Sequence, residues 1–450
     1  MTNFRLSEIT RCFQGVIPSI IATSDARGIP NAAYISHVYL LDDRHVAVSR
    51  QFFNKTSSNL DENPRAAVEL YDPLTMQAYR LALRHLRSEK SGPLFDVMEM
   101  RIHAIASHTG MTGIFRLLAA DIFEVVEYEK VEHFLVDAPD EPVEKVSVDG
   151  VRSEVRGLQY VSQKINEAKD LDSLLDVVLG ALDEFFGFEH TMVLLPDCSG
   201  KLVAMASHGY GQSGVGAEVA PGEGLIGTVA RERRLLRISG LDAELRYGRT
   251  VRREAGASTP EVPLPGLPDA QSALVIPLCI GDRLVGVIAA EDRDPLRFGE
   301  WDEAYLGVIA NQIAFGIDRM SGDDQDVEVV VRSTQPGTTR LPVGPKMTIT
   351  YYKNDDCVFV DGEYLIRNVP GRILWKLLSE WDGSGRTEFT NRELRIDESL
   401  GLPAIKDNLE SRLILLRRRL TEKCPAVRIV PTARGRFALE VDDRVELVER

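Results

Sequence analysis

Two stretches of this 450-residue chain read as linkers, and between them they limit how many cores it can build. The first, VDAPDEPVEKVSVDG at 136–150, is acidic, carries two prolines and has no helical period. The second, SGDDQDVEVVVRSTQPGTTRLPVGPK at 321–346, is rich in Gly, Pro, Ser and Thr around a short valine run. They leave segments of about 135, 170 and 100 residues, each of ordinary domain size. No repeat of fixed period links the three. A content of 44% hydrophobic and 27% charged residues is that of a globular chain, not a disordered or fibrous one.

No apolar run approaches the roughly 18–20 residues that a membrane span needs. MTNFRLSEITRCF has no basic start followed by an apolar core, so no secretory signal is expected. The five cysteines, Cys12, Cys198, Cys279, Cys357 and Cys424, lie far apart and form no CxxC pair. Neither a zinc site nor a disulfide framework is signalled, and a reducing cytoplasm is expected. A net charge of −15 argues against non-specific coating of nucleic acid. Against that balance, nine basic and three acidic residues fall between Ile405 and Phe437. That local patch needs an explanation.

Residues 15–71 alternate like half-buried strands. They run VIPSIIATSD, a turn at Ala26-Arg27-Gly28, PNAAYISHVYLLD, a turn at Asp42-Asp43, then HVAVSRQ. A short polar helix, NKTSSNLDENP, precedes a strand, AAVELYD. RSEKSGPLFDVMEMRIHAIASHTG reads as a helix and IFRLLAADIFEVVEYEKV as closing strands. Many short strands with few helices favour a small barrel. The run VSRQFFNKTSSNLDENPRAAVELYDP resembles the strand–helix–strand core of the pyridoxamine-phosphate-oxidase-like split barrel. That resemblance implies a barrel over residues 1–135, with Lys55 on the phosphate of FMN and Ser49 and Asn54 as neutral donors beside it. A lysine in a helix's first turn adds a point charge to free backbone N–H groups. The plainer reading has Lys55 solvating a surface helix. The family also holds haem binders, deazaflavin binders and members that bind nothing. His103 and His108 keep haem open, although a histidine beside apolar residues is more often structural.

The segment 153–186 is helical, with Asp170 as the cap that separates two helices. Strands HTMVLLPD and KLVAMASHG follow, then the glycine-punctuated APGEGLIGTVARERRLLRI. SALVIPLCIGDRLVGVIAAEDRD is a hairpin turned at Gly281-Asp282, and DEAYLGVIANQIAFGIDRM closes as a helix. This order resembles a GAF domain over 153–320, most specifically in Pro221-Gly222-Glu223-Gly224-Leu225-Ile226-Gly227 and in the hairpin. The resemblance implies a sensory fold with a small-molecule ligand and names no activity. The glycines are read as turn-formers before a helix rather than as a phosphate cradle. The long 240–270 loop is either a lid or disorder.

In the last segment, YYKNDDCVFVDGEYLIRN turns at Asp361-Gly362, and VPGRILWKLLSEW and TNRELRID are helices, the second capped by Thr390 or Asn391. NLESRLILLRRRLTE sets Leu409, Leu413, Leu416 and Leu420 on one stripe. VRIVPTARGRFALEV is a hairpin tipped by Arg434-Gly435-Arg436. Residues 347–442 resemble the winged helix of OmpR-type response regulators, through Leu416-Arg417-Arg418-Arg419-Leu420 and Thr432-Ala433-Arg434-Gly435. The resemblance implies duplex DNA as partner, with Asn408, Ser411, Arg412, Arg418, Thr432, Arg434 and Arg436 as contacts. The helix would enter the major groove and the wing would touch phosphate or the minor groove. One departure stands out. Ile414 and Leu415 fall on the groove-facing side, where they suit thymine methyls or a protein interface.

The expected fold class is therefore multidomain α+β: a split β-barrel, a GAF α/β sandwich and a C-terminal winged helix. The expected function is a ligand- or redox-sensing cytoplasmic transcription regulator, assembled as a homodimer. Two alternatives stay open, a flavin-dependent oxidoreductase with appended regulatory domains and a sensory scaffold whose winged helix binds protein. No substrate acid, base or nucleophile stands out beyond the flavin site.

Overall fold

The computed structural model describes residues 5–35, 37–51, 54–110, 112, 115–131, 148–168, 170–197, 199–241, 262–322, 346–402, 409–433, 435–442 and 444–450. Its first sheet is built from β1 (Ser19–Ser24), β2 (Pro30–Ile35), β3 (Val38–Leu40), β4 (His45–Arg50), β5 (Arg65–Tyr71), β6 (Ala78–Glu89) and β7 (Ala119–Lys130). Their order is β2-β1-β5-β6-β7-β4-β3, and every pair is antiparallel. PNAAYISHVYLLD, expected as one strand, is split into β2 and β3, which lie on opposite edges. A chain that passes between two edges in two residues requires the sheet to curl. Val46, Val48, Leu70, Leu81 and Phe123 fill the inside of that curl.

Helix α1 (Asn54–Glu62) joins β4 to β5, and α2 (Pro93–His108) joins β6 to β7. The α2 helix starts later than its sequence pattern suggests, because Arg87–Glu89 still belong to β6. Pro93 suits that start, since its missing N–H would have had no partner in the first turn.

The middle sheet holds β8 (His190–Pro196), β9 (Leu202–His208), β10 (Glu218–Val219), β11 (Leu236–Ser239), β12 (Ser272–Ile280) and β13 (Arg283–Asp292), in the order β10-β9-β8-β13-β12-β11. Helices α3 (Val148–Glu167), α4 (Leu171–Phe186) and α6 (Glu300–Gly322) pack one face, and α5 (Gly224–Glu232) packs the other. The start of α3 lies inside the stretch expected as linker. Asp170 does separate α3 from α4: its carboxylate accepts the Ser173 N–H at 2.8 Å, which satisfies one orphan donor of the first turn. Gly187, at φ +63, ends the helix. In the loop before α5, Gly222 and Gly224 have positive φ, and a Cβ on Gly227 would lie 2.2 Å from the Ala220 carbonyl. These glycines let the chain turn tightly against its own backbone.

After residue 346 come β14 (Lys346–Tyr352), β15 (Cys357–Val360), β16 (Glu363–Ile366), α7 (Asn368–Ser384), β17 (Glu388–Thr390), α8 (Asn391–Ile396), α9 (Leu409–Lys423), β18 (Val427–Ala433), β19 (Arg436–Val441) and β20 (Arg444–Glu449). Thr390 is the cap of α8. Its hydroxyl accepts the Glu393 N–H at 3.2 Å, and Glu393 accepts the Thr390 N–H at 3.1 Å. One sheet has the order β16-β15-β14-β20 and a smaller one β17-β19-β18. The last strand, β20, runs parallel to β14 and lies beyond residue 442, where the sequence pattern fades.

Leu409, Leu413, Leu416 and Leu420 of α9 are all buried, as a single apolar stripe requires. Ile414 and Leu415 are buried too, at 0% and 7% exposure. Leu415 faces the middle sheet across a shared cavity with Leu195 and Met205, and one continuous apolar cluster holds Val193, Leu195 and Met205 together with Leu413, Ile414 and Leu416. No described helix is long and apolar enough to cross a membrane.

Candidate functional site

In the first sheet, Ser49 is buried near the end of β4, and Lys55 is exposed on the first turn of α1. The Asn54 backbone begins that helix. Ser49 lines a space of about 20 Å³ shared with Gly15, His37, Tyr39, Arg101 and Ser239, and Lys55 is not part of that lining. The space has room for a water. His37 Nδ1 points its orphaned lone pair or proton into the same region, with no hydrogen bond among the described residues. Burial, helped by Arg101 and Arg237, drives the His37 pKa well down and keeps the ring neutral.

Arg50 follows Ser49 and turns inward. Its Nε and Nη2 lie 2.9 and 2.5 Å from the two carboxylate oxygens of Asp121, to which Ser88 Oγ also donates at 2.6 Å. Burial pushes the Asp121 carboxyl up, but hydrogen bonds from His85, Arg50 and Ser88 more than offset it and hold the group below the usual range. The charge of Arg50 is thus committed inside the barrel, which leaves Lys55 as the exposed cation at the entrance to α1.

Helix α2 packs against α5, joining the first sheet to the middle one. Ser107 Oγ accepts the Gly224 N–H at 2.7 Å and donates to the Gly222 carbonyl at 3.2 Å, so it clasps the glycine loop. His103, one of the two histidines that kept haem open, has a buried Nε2 without a hydrogen bond among the described residues. It faces a space of about 650 Å³ between the two helices, together with Arg231 and Arg234. His108 is the last residue of α2. On the same face of the middle sheet, Glu291 is half-buried and accepts the Leu267 N–H at 2.9 Å. Burial raises its pKa. Tyr210 beside it is raised as well, first by burial and then by the Glu291 charge.

The opposite face carries the most elaborate polar junction. Arg418 of α9 reaches the first turn of α4, 2.6 Å from Asp172 and 2.6 Å from Asp176. Burial lowers the Arg418 pKa, yet the two carboxylates more than compensate and the net shift is upward. Arg367, just before α7, forks onto Glu218 of β10 at 3.0 and 2.7 Å. Burial pushes Glu218 up, while Arg367 and Lys201 outweigh it and hold the carboxyl below the usual glutamate range. Ser213 donates to Glu422 across the same junction. A Cβ on Gly216 would sit 3.6 Å from Leu415 and 3.5 Å from Arg419, so bare backbone lies against α9.

Between these contacts lies a cavity of about 180 Å³. Leu195, Val203 and Met205 of the middle sheet form one wall, and Ile366, Val369 and Leu415 form the other. Of the residues expected on DNA, Ser411 and Arg412 line this cavity, and Arg418 is engaged by Asp172 and Asp176. Thr432 and Arg436 are exposed on the β18–β19 hairpin. Asn408 and Arg434 lie outside the described residues.

The acidic partners Asp172, Asp176 and Glu218 were not legible as site residues. In sequence they are ordinary helix and strand carboxylates, and only tertiary contact gives them a role. Ile414 and Leu415 were the one available signal, two apolar residues where a groove reader would carry donors. Among the described residues, no cluster of three side chains is suited to hold a metal.

Residues 7–113 match the family model described as pyridoxamine 5'-phosphate oxidase, and residues 170–317 match the GAF domain model. The chain is therefore a multidomain α+β protein with a split barrel of the first kind and a GAF domain. No curated protein matches it. Among solved structures, it is similar to the GAF domain from an Acinetobacter phosphoenolpyruvate-protein phosphotransferase, at 20% identity over 39% of this chain and 98% of that one, TM-score 0.32. An FMN-binding protein from Syntrophomonas wolfei is 19% identical over 29% of this chain and 90% of that one, TM-score 0.24. A free methionine-R-sulfoxide reductase from Neisseria meningitidis is 18% identical over 40% and 98%, TM-score 0.31.

Proposed function

We propose that this chain is a ligand-responsive regulator whose C-terminal unit is a winged helix that binds duplex DNA and is restrained by the GAF domain. The observation that carries the reading is the docking of α9. The helix that would enter a major groove lies against the GAF domain, with Arg418 between Asp172 and Asp176. A reader helix held this way cannot reach bases, while Thr432 and Arg436 on the exposed hairpin still face solvent. Release of α9 by a change in the sensory domains would complete the DNA-binding surface.

The units in this reading run 1–135, 153–320 and 347–442, the last extended to Glu449 to take in β20. FMN is the candidate group for the barrel, with Lys55 and the start of α1 on its phosphate; bound there, it would supply a redox-sensitive input. A haem, or no group at all, is the alternative for the same barrel. A homodimer fits Trp301, Val308 and Phe315, which stand exposed at seven-residue intervals along α6.

One observation favours a second reading. Ile414 and Leu415 are as buried as core residues, which suits a permanent interface in a sensory scaffold. Duplex DNA from the protein's own promoter region, titrated against the full chain at low and rising salt, separates the two. A regulator should bind with a log–log salt slope near −0.9 per phosphate contacted, and Arg434→Ala with Arg436→Ala should flatten that slope by up to about 2. A full chain that binds no duplex at low salt, and still binds none when Asp172→Asn with Asp176→Asn releases Arg418, supports the scaffold.

A further inference from the structure

We infer that the barrel sets the state of the GAF sensory face through helix α2, with Ser107 capping α5 from outside the GAF domain. Helix α2 belongs to two cores at once. Phe95, Met98 and Ile102 join the barrel cluster that holds Ala47, Leu117 and Ile122. Met100 and Ala104 join the GAF cluster that holds Leu225, Ile226 and Val229 of α5 and Leu236 and Ile238 of β11. Each set keeps the three- and four-residue spacing of one helical face. A helix with two apolar faces cannot move in one core without moving in the other.

Polar contacts fasten α2 to both ends of the α5–β11 unit. Ser107 Oγ accepts the Gly224 N–H at 2.7 Å and donates to the Gly222 carbonyl at 3.2 Å. Nearer the middle of α2, Arg101 Nη1 donates to the Arg237 carbonyl at 2.8 Å. β11 is an edge strand of the middle sheet, so a barrel side chain holds a backbone group of that edge.

The contact at Gly224 matters most. The first N–H groups of a helix have no partner within it, and a short polar side chain at the N-cap ordinarily supplies one. α5 has Glu223 at that position and makes no side-chain cap of its own. The Glu223 carboxylate turns back to the Ala220 N–H at 3.0 Å instead. The missing acceptor comes from the barrel, 117 positions away in sequence. Because α5 covers the GAF face on which Glu291 and Tyr210 lie, a shift of α2 alters how that face is covered. Linkage makes the influence mutual, so binding at the GAF face is felt at α2 as well. Neither DNA binding nor the identity of the barrel's group enters into this coupling.

The test is hydrogen exchange on the full chain, followed by mass spectrometry in peptides covering Gly224–Val229 and Val285–Ala290. Ser107→Ala should speed exchange in the first peptide roughly 2–30-fold, the worth of an N-cap, and leave the second unchanged. Met98→Ala, a change in the barrel core, reads the transmission. It should speed exchange over Gly224–Val229 while Ser107 is present, and have a smaller effect there once Ser107→Ala has removed the cap. Ile102→Val, a milder change in the same core, serves if Met98→Ala does not fold. The cap is overturned if Ser107→Ala leaves the first peptide unchanged or speeds both peptides equally. Transmission is overturned if the barrel-core variant has no effect on the first peptide, or the same effect with and without the Ser107 hydroxyl. A chain that binds neither FMN nor DNA should still give the expected exchange pattern, so failure of the regulator reading and failure of this coupling are told apart.

Discussion

Arg418 lies 2.6 Å from Asp172, and that contact fastens the last helix of the C-terminal unit to the first turn of a GAF helix. The two residues are 246 positions apart in sequence. Asp172 already sits where the α4 dipole favours negative charge, so it is a carboxylate prepared to receive a cation. Arg418 is mostly buried, at 18% exposure, whereas Asp176 on its other side is largely solvated. Most of the strength of the pair therefore comes from Asp172.

The Glu218–Arg367 fork makes docking sensitive to acid. The folded pKa of Glu218 is depressed, so its contribution is complete above the ordinary glutamate value of about 4.3 and is lost as pH falls through the depressed value below it. Small-angle scattering of the full chain should show expansion in that acid window, before circular dichroism reports loss of secondary structure. Glu218→Gln should remove the pH-dependent step. Identical profiles for the two proteins would show that Glu218 does not govern docking.

Lys55 carries the cofactor prediction. Lys55→Ala should lower FMN affinity about 10–150-fold, the worth of one charge-assisted contact, and should leave the barrel's stability nearly unchanged because the side chain is exposed. Flavin absorbance and thermal melting with added FMN measure both. A wild-type protein that is colourless and is not stabilised by FMN removes flavin from the account.

The exposed stripe on α6 predicts self-association. Light scattering at micromolar concentration should give the mass of a dimer, and Val308→Glu with Phe315→Glu should give a monomer with an unchanged circular dichroism spectrum. A dimer that survives both substitutions pairs through another surface.

Much of the fold was legible because its signals are local. Asp170 between two leucine-rich helices, the Gly281-Asp282 hairpin and the Leu409–Leu420 stripe each follow from neighbours a few residues away. What was not legible depended on distance. Nothing in PNAAYISHVYLLD says that its halves belong to opposite sheet edges. β6 was missed although Tyr79, Leu81 and Leu83 alternate with exposed residues, because its last residues, Arg87–Glu89, read as the start of the following helix. Ser49 and Lys55, joined by their motif, face different surroundings because Ser49 is covered by the barrel–GAF junction. The docked face of α9 was half legible: Ile414 and Leu415 gave the warning, but their partners are scattered between residues 172 and 218.

The central claim is that GAF docking restrains the C-terminal reader, and one comparison tests it most directly. Asp172→Asn with Asp176→Asn removes the carboxylates that hold Arg418 and leaves the reader itself intact. The pair should be worth about 1–2 kcal/mol, discounted because Asp176 is largely exposed, which is roughly 5–30-fold in an equilibrium. Measured by fluorescence anisotropy on the same promoter duplex at the same salt, the double variant should bind DNA roughly 5–30-fold more tightly than the wild-type chain. Equal affinity in the two proteins would contradict restraint by docking, and so would weaker binding by the variant.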